Sequence, residues 1–300
     1  MSKTTAEIVT QPACWRRAAA LAATREVAEQ LPSPGDDVAV VGCGTSLYIA
    51  QAYAAAREAA GLGVSDAFAA SEYPATRSYG RVVALSRSGT TSEVRALLAS
   101  LAPGSASLVI TAVGDSPAAA AAGESLVLDF ADEESVVQTR FATTALAVLR
   151  VSLGHDVLRA ADDAARALEC DLPLEPGSVS QVTFLGTGWT VGLASEAALK
   201  LREAAQAWAE AYPAMEYRHG PIAIAAPGRA VWPFGPLPRG LADDIEATGA
   251  TLVDTRDLDP MAALVLAQRF AVAEAERKGL DPDAPRNLTR SVVLPFLEQR

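Results

Sequence analysis

Short hydroxyl side chains follow two apolar segments of the chain and could bind a phosphate group. Ser86, Ser88 and Thr91 lie in a Ser-Arg-Ser-Gly-Thr-Thr turn directly after the apolar residues 82–85. Such a turn before a helix offers hydroxyls and unpaired backbone N–H groups, and the helix dipole also favours an anion there. The ordinary alternative is that these hydroxyls only cap the helix that follows.

A second hydroxyl pair, Thr45 and Ser46, follows the apolar residues 38–41 through a Gly-Cys-Gly turn. Two such turns favour an anion site over two unrelated caps, because ligands bind at the carboxyl ends of parallel strands. Neither turn has the Gly-Lys-Ser/Thr ending of the nucleotide P-loop, and the Gly-Cys-Gly turn lacks the third glycine of the dinucleotide fingerprint. A nicotinamide or flavin enzyme is therefore a weak alternative.

Three charged residues and a histidine form a candidate acid/base set. Glu196, Lys200 and Glu203 are spaced i, i+4 and i+7, so they share one face of a helix. The ordinary structural interpretation is a solvent-exposed helix face on which these charges pair. Against it, this helix follows a second glycine turn, Gly-Thr-Gly at 186–188, at the end of a predicted strand. His219, one of only two histidines, precedes a Gly-Pro pair in a predicted loop, which favours an exposed ring.

Strands alternate with helices along the chain, which predicts an α/β protein with parallel sheets. The pattern also repeats: residues 38–44 align with 182–188, and the strand at 82–85 has a counterpart near 230–232. A segment with two prolines and a glycine, 171–178, is a plausible linker between the two copies. The chain is thus predicted to contain two copies of one α/β unit.

The two copies differ at the hydroxyl turn. Prolines in the segment 233–238 of the second copy replace the hydroxyls and remove backbone donors, so the phosphate site is assigned to the first copy. Outside the repeat, an Ala-rich stretch predicts an N-terminal helix from Arg16 to Gln30, and residues 137–153 are also expected to be helical.

The composition excludes several classes of protein. The chain has 300 residues, half of them hydrophobic, which is enough for two α/β domains. A net charge of −11 argues against nucleic acids and acidic membranes as partners. Three widely spaced cysteines give neither a disulfide framework nor a metal-ligand pattern, and no cluster indicates a cofactor. Without a signal-peptide pattern or a membrane-spanning apolar run, the expected location is cytoplasmic.

Several motifs in order along the chain resemble the double sugar isomerase (SIS) domain family, most closely the isomerase half of glucosamine-6-phosphate synthase and free-standing amino-sugar-phosphate isomerases and deaminases. The matching motifs are Gly42 to Ser46, Ser86 to Thr91, Glu133 to Thr144, Glu196 to Glu203, Glu210 to Tyr212, Glu216 to Pro221 and Asp283 to Val292. The resemblance implies two tandem SIS domains, each a parallel sheet flanked by helices in a three-layer, flavodoxin-like α/β/α arrangement. The expected boundaries are an N-terminal helical segment 1–37, a phosphosugar-binding domain 38–172, a second domain 179–280 and a tail 281–300 that closes over the active site.

The resemblance also implies roles for the candidate residues. Glu203 would move a proton between C1 and C2, and Lys200 would lie at the reactive end of the sugar, where an imine could form. His219 would help to open the sugar ring from the neighbouring subunit, so a homodimer is expected. Arg290 would act in the catalytic tail, where the synthase has a Lys; it keeps the charge but cannot serve as an amine nucleophile. The sugar phosphate would be bound by Gly44, Thr45, Ser46, Ser86, Arg87, Ser88, Thr91 and Val136.

One member of the binding set departs from the family pattern. Arg87 stands where the family has Gln, and its guanidinium could add a bidentate phosphate contact.

The sequence therefore predicts an enzyme that isomerises an amino-sugar (ketosamine or hexosamine) 6-phosphate, with release of ammonia and without a metal or redox cofactor. Because the sugar-binding motifs begin near the start of the chain, no glutaminase domain and no complete glutamine amidotransfer are expected. Two alternatives stay open: a simple ketose/aldose phosphate isomerase and a non-catalytic phosphosugar sensor. The 37 residues before the first strand are too short and not basic enough for a helix-turn-helix domain, which disfavours a DNA-binding sensor.

Overall fold

The computed structural model describes residues 1–295 of the chain. The strands are β1 Val38–Gly42, β2 Ser65–Ala69, β3 Arg81–Leu85, β4 Ser107–Thr111, β5 Glu124–Val127, β6 Gln181–Gly186, β7 Trp208–Pro213, β8 Arg229–Phe234 and β9 Thr251–Leu252. The helices are α1 Lys3–Val9, α2 Gln11–Ala22, α3 Arg25–Gln30, α4 Thr45–Ala59, α5 Ser92–Ser100, α6 Pro117–Ala121, α7 Arg140–Ser152, α8 Val157–Glu169, α9 Thr190–Ala205, α10 Leu241–Ala247 and α11 Pro260–Arg277. None of these helices is long and apolar enough to cross a membrane.

The first sheet creates the crevice in which the predicted turns meet. Its five strands pair in parallel in the order β2-β1-β3-β4-β5. Strands β1, β3 and β4 are short, apolar and almost entirely buried, as parallel strands covered by helices must be. Because the strand order reverses between β1 and β3, the loops that follow these two strands flank a crevice at the carboxyl edge of the sheet. Those two loops are the predicted hydroxyl turns.

The second sheet repeats the pairing of the first. Its strands are parallel in the order β7-β6-β8-β9. Strand β1 pairs with β2 and β3, and β6 pairs in the same way with β7 and β8, so the aligned segments of the sequence repeat occupy equivalent strands. The protein is therefore α/β with two parallel sheets flanked by helices. The division into domains at 38–172 and 179–280 stays a prediction; residues 171–178 between them contain no helix or strand.

Helices α4 and α9 approach each other closely at a glycine. A Cβ on Gly192 would lie 2.4 Å from the backbone oxygen of Tyr48 and 2.7 Å from the backbone nitrogen of Ala52, so a side chain would force the helices apart. Buried side chains of both helices, such as Ile49 and Leu193, belong to one continuous apolar cluster. This contact brings the inner face of α9 next to the start of α4.

The structure differs from the sequence predictions in several places. Two helices, α2 and α3, cover the span from Arg16 to Gln30 where one helix was expected, and a further short helix, α1, precedes them. Strand β2 was not predicted, because Ser-Asp-Ala-Phe-Ala has a weak apolar signal and lies at the sheet edge. Helix α7 begins at Arg140 instead of 137, where the Glu133 carboxylate accepts hydrogen bonds from its first N–H groups. The last part of the expected tail, 296–300, lies outside the described residues.

Candidate active site

Glycines in the left-handed backbone region shape both hydroxyl turns. Gly44 has φ 55° and Gly89 has φ 62°. A Cβ on Gly89 would lie 2.0 Å from Ser116 Oγ, so a larger residue does not fit there. Gly44 and Thr91 are the N-cap residues of α4 and α5, and neither supplies a side-chain cap. Side-chain capping by these two residues therefore does not account for the turns, which stand at two helix N-termini, where an anion is favoured.

A cavity of about 240 Å³ lies between the two turns, helix α9 and the C-terminal tail. A larger cavity of about 630 Å³, beside Tyr73 and Glu93, contains none of the predicted site residues. We place the candidate site in the smaller cavity because hydroxyl groups and an acidic side chain converge there. The structure brings together in its lining the predicted residues Gly44, Thr45, Ser46, Ser86, Arg87, Ser88, Thr91, Val136, Glu203 and Arg290.

The charged face of α9 is buried, which excludes the solvated stripe. Lys200 is 1% exposed and Glu196 is 0% exposed. The Lys200 ammonium lies 2.5 Å from Glu203 Oε2 and 3.6 Å from Glu196 Oε1. It also donates a hydrogen bond of 2.9 Å to Thr45 Oγ1. Lys200 therefore connects the acidic residues of α9 to the first hydroxyl turn.

Two carboxyl groups share one buried ammonium group, and the pKa values of both Glu196 and Lys200 are raised. Burial raises the pKa of Glu196 to about 8, although the Lys200 charge pulls it down. Burial also opposes the charged form of Lys200, but attraction to Glu196 and Glu203 outweighs it and raises the Lys200 pKa. These shifts favour the protonated form of both Lys200 and Glu196. Glu203, with 19% of its side chain exposed, is the acid that reaches the cavity.

His219 lies apart from this set within one chain. It ends a 3-10 turn, Glu216–His219, and its side chain is exposed, as its place before a Gly-Pro pair predicted. It does not line the cavity that contains Glu203. One copy of the chain therefore does not bring the predicted base and the predicted ring-opening residue together.

Arg87 contacts the C-terminal tail in this structure, whereas the sequence predicted a bidentate phosphate contact. Its buried guanidinium donates to the backbone oxygens of Ser135 and Arg290, each at 2.9 Å, and lies 3.7 Å from Glu133 Oε2. Arg290 reaches back, because its Nε donates to the Glu133 backbone oxygen at 3.0 Å and its Nη2 pairs with Asp132. We call Arg87 and Arg290 the arginine clamp. It fastens the tail to the first sheet, although the Arg87 Nε has no hydrogen-bond partner within residues 1–295.

We expect Arg87→Gln to loosen the tail. Gln is too short to reach both backbone acceptors, and each lost hydrogen bond to a charged group is worth about 1.5–3 kcal/mol. Hydrogen exchange of the amides at 286–295 should accelerate about tenfold or more. Arg25→Gln, at an arginine with 90% of its side chain exposed, should leave this exchange unchanged. Equal exchange in Arg87→Gln and the wild type would mean that other contacts hold the tail.

Sequence reasoning gave Glu133 and Ser291 no role of their own. Glu133 is 2% exposed, and its Oε1 accepts the backbone N–H groups of Thr139 and Arg140 at 2.6 and 2.7 Å. Ser291 accepts a 2.9 Å hydrogen bond from Thr90 in the second hydroxyl turn. Both residues lie in recognised motifs, but Thr90 and Ser291 are 201 residues apart, so no local pattern could have paired them.

Several known proteins are similar to this chain in sequence or in structure. The chain is 28% identical over 309 residues to the isomerizing glutamine–fructose-6-phosphate aminotransferase of Bacillus subtilis. This match covers 86% of this chain and 52% of the relative. A glucosamine-6-phosphate deaminase from Thermotoga maritima has a TM-score of 0.83 at 24% identity, over 98% of this chain and 100% of that chain. Tagatose-6-phosphate ketose/aldose isomerase from Escherichia coli has a TM-score of 0.77 at 18% identity, over 98% and 97%.

These matches show homology in sequence and likeness in fold. The sequence is homologous to the aminotransferases, and the fold is that of the phosphosugar isomerase (SIS) proteins, as the sequence motifs predicted. No family model matches the chain. The chain spans about half the length of the curated relatives it matches, so their whole activity does not transfer to it.

Proposed function

We propose that this protein isomerises an amino-sugar 6-phosphate and releases ammonia. The observation that carries the proposal is the single cavity where both hydroxyl turns meet Glu203. Lys200 connects them, since its ammonium lies 2.9 Å from Thr45 Oγ1 and 2.5 Å from Glu203 Oε2. A phosphate held by the turns would leave the other end of the sugar beside Glu203. The similar proteins named above include a deaminase and an isomerase of sugar 6-phosphates.

Glu203 would act as the base that carries one proton between adjacent carbons. In a 2-amino aldose the proton leaves C2 and arrives at C1, and the resulting double bond joins C2 to the nitrogen. Water then adds to C2, the C–N bond breaks with its electron pair on nitrogen, and ammonia leaves. The product is a ketose 6-phosphate. The steps need water but no external oxidant or reductant.

Lys200 would act as a fixed cation. Two carboxyl groups surround its ammonium and raise its pKa, so the amine stays protonated and is a poor nucleophile. A protonated Lys200 can stabilise the negative charge that develops on the sugar oxygen while Glu203 holds the proton. This role differs from the imine-forming amine that the family resemblance implies.

We also propose that His219 of a second copy completes the site. Within one chain His219 is exposed and lies outside the cavity, although ring opening needs an acid near the sugar. Mixed dimers of His219→Ala and Glu203→Gln subunits should recover about a quarter of the wild-type rate, because half of the dimers are mixed and each has one intact site. The measurement is turnover after subunit exchange, with exchange verified by mass spectrometry. No recovery in exchanged dimers would contradict a shared site.

Simple aldose–ketose isomerisation is the second candidate. The observation that favours it is Arg290, which stands at the expected tail lysine and is held by Glu133 and Asp132. A sugar-phosphate sensor is the third candidate, since the cavity could bind a sugar phosphate without converting it.

A panel of hexose and hexosamine 6-phosphates separates the three candidates, with ammonia release and aldose–ketose conversion measured in parallel. Ammonia release supports the proposal. Conversion without ammonia supports the simple isomerase, and saturable binding without either reaction supports the sensor.

A further inference from the structure

Helix α1 is bonded to two walls of the candidate active site, although none of its own residues lines the cavity. One wall is the segment 133–138, which precedes α7 and which we call the α7 loop. It supplies Val136 and Gln138 to the lining. The other wall is the C-terminal tail, which supplies residues 288–292. The contacts of α1 with both walls therefore bear on how the cavity is held together.

The carboxylate of Asp283, near the start of the tail, binds the first turn of α1. Its two oxygens accept hydrogen bonds from the N–H groups of Lys3 and Thr4, each at 2.8 Å, and Thr4 Oγ1 donates to Oδ1 at 2.7 Å. Burial raises the pKa of Asp283, but the hydrogen bonds from Thr4 and Lys3 outweigh it and lower the pKa, which favours the charged carboxylate. Hydrogen bonds to a charged acceptor are roughly twice as strong as neutral ones, so this contact fixes the tail to α1.

The same threonine contacts the α7 loop. Thr4 Oγ1 lies 2.6 Å from Ser135 Oγ, and both residues are 0% exposed. Because Thr4 has one hydroxyl proton and gives it to Asp283, Ser135 is the donor in this pair. Glu7, in the same helix, accepts hydrogen bonds from the N–H groups of Glu134 and Ser135 at 2.6 and 3.3 Å. Helix α1 therefore holds the α7 loop as well as the tail.

The α7 loop and the tail also bond to each other beside α1. The N–H group of Val136, a residue of the cavity lining, donates to the backbone oxygen of Asp283 at 3.0 Å. We call Thr4, Ser135 and Asp283 the Thr4 network. It is separate from the arginine clamp, which contacts the tail further on, at Arg290.

The α7 loop carries a hydrogen-bond donor for which the described protein offers no acceptor. The Nε2 atom of Gln138 is buried and has no hydrogen-bond partner within residues 1–295, and Gln138 lines the cavity. A buried donor without a partner is unfavourable and calls for an explanation. An oxygen of a bound sugar would give this donor its partner, so the position of the α7 loop bears on sugar binding.

We propose that Thr4 and Asp283 are positioning residues for sugar-phosphate binding, because they hold the α7 loop and the tail in place on either side of the sugar. The inference rests on the proposed function, but only on its sugar-phosphate site. Thr4 does not touch the substrate and acts through Ser135 and Asp283. Two walls that are fixed before binding spare the complex the entropy cost of ordering them, and this raises affinity.

Thr4→Val tests this proposal, because it keeps the branched shape of the side chain and removes the hydroxyl. Binding is measured by calorimetry with glucitol 6-phosphate, which has no carbonyl group and therefore binds without turnover. We expect Kd to rise about tenfold, the effect of one hydrogen bond to a charged group. Thr4→Ser keeps the hydroxyl and should bind with the wild-type Kd. Urea unfolding verifies that each variant is folded under the conditions of the measurement.

Thr5→Val is the matched control, at the next residue of α1. The Thr5 hydroxyl is bonded to Ser2 Oγ, at 2.8 Å, at the N-cap of the same helix, so its loss should leave Kd unchanged. In steady-state kinetics with the best panel substrate, Thr4→Val should raise KM and leave kcat within about twofold, because Glu203 and Lys200 are untouched. Equal rises of Kd in Thr4→Val and Thr5→Val would assign the effect to the stability of α1 in general and overturn the positioning role.

The wild type provides a second measurement, which decides the matter if Thr4→Val does not fold. Coupling between two sites is reciprocal, so saturating glucitol 6-phosphate should slow hydrogen exchange of the amides at 3–9 about tenfold. Unchanged exchange of these amides would overturn the inference.

Failure of this inference and failure of the proposed function give different results. An unchanged Kd in folded Thr4→Val overturns the positioning role and leaves the proposed function standing. If glucitol 6-phosphate binds but no panel compound is converted, the proposed function fails, and the comparison of Kd values still decides the positioning role. If the wild type binds neither glucitol 6-phosphate nor any panel compound, there is no sugar-phosphate site to position and both fail.

Discussion

Replacing Glu203 by Gln should lower kcat by about 10²- to 10⁴-fold, the range that a general acid–base group contributes. The amide has the shape of the carboxylate but cannot carry the proton between carbons. Its oxygen can still accept a hydrogen bond from Lys200, which donates to Glu203 Oε2 in the native protein. The hydroxyl turns are untouched, so sugar-phosphate binding should persist. Steady-state kinetics with the best panel substrate and calorimetric binding measure the two effects separately.

Glu246→Gln on α10 is the matched control, because Glu246 is an exposed glutamate outside the candidate cavity. It should keep wild-type kcat. Full turnover in Glu203→Gln would assign the proton transfer to another group. Loss of both turnover and binding would instead give Glu203 a structural role, which a change in the free energy of unfolding would reveal.

Local sequence patterns were sufficient for the central strands β1 and β3 and for the crevice between the loops that follow them. Apolar strands of five residues followed by glycine turns determine where β1 and β3 end, and parallel pairing brings both ends to one edge. Thr45 and Ser86 could therefore be predicted as neighbours of one anion site without any tertiary information. The two turns meet because β1 and β3 are adjacent in the sheet.

The contacts that decide the site are not local, and the sequence left them open. The spacing of Glu196, Lys200 and Glu203 fits an exposed stripe as well as a buried one. The face is buried because α9 packs against α4, where Gly192 allows close approach. Arg87 was expected to bind phosphate, but the Arg290 carbonyl that it contacts is 203 residues away. A pattern within one turn cannot report such a partner.

The stability of the protein should fall between pH 4.5 and 8 because of Glu196. Burial raises the Glu196 pKa from an ordinary 4.5 to about 8, so the folded state binds a proton that the unfolded state has released in this window. The free energy of unfolding then decreases as pH rises, by at most about 1.4 kcal/mol per pH unit for one proton. Above pH 8 the carboxylate is ionised in both states and this contribution is lost. Urea unfolding at pH 5.5, 6.5 and 7.5 measures the slope.

Glu196→Gln isolates this effect from the other titrating groups. The amide has the shape of the protonated acid and cannot ionise, and neither oxygen of Glu196 has a hydrogen-bond partner within residues 1–295 that the change would remove. The variant should therefore lose the downward slope, and its stability relative to the wild type should improve as pH rises. Lys200 keeps its closer partner, Glu203 Oε2 at 2.5 Å, so the ammonium stays paired. If the free energy of unfolding changed with pH in the same way for both proteins, Glu196 would be ionised in the folded state throughout this range. Its carboxylate would then share the Lys200 ammonium with Glu203.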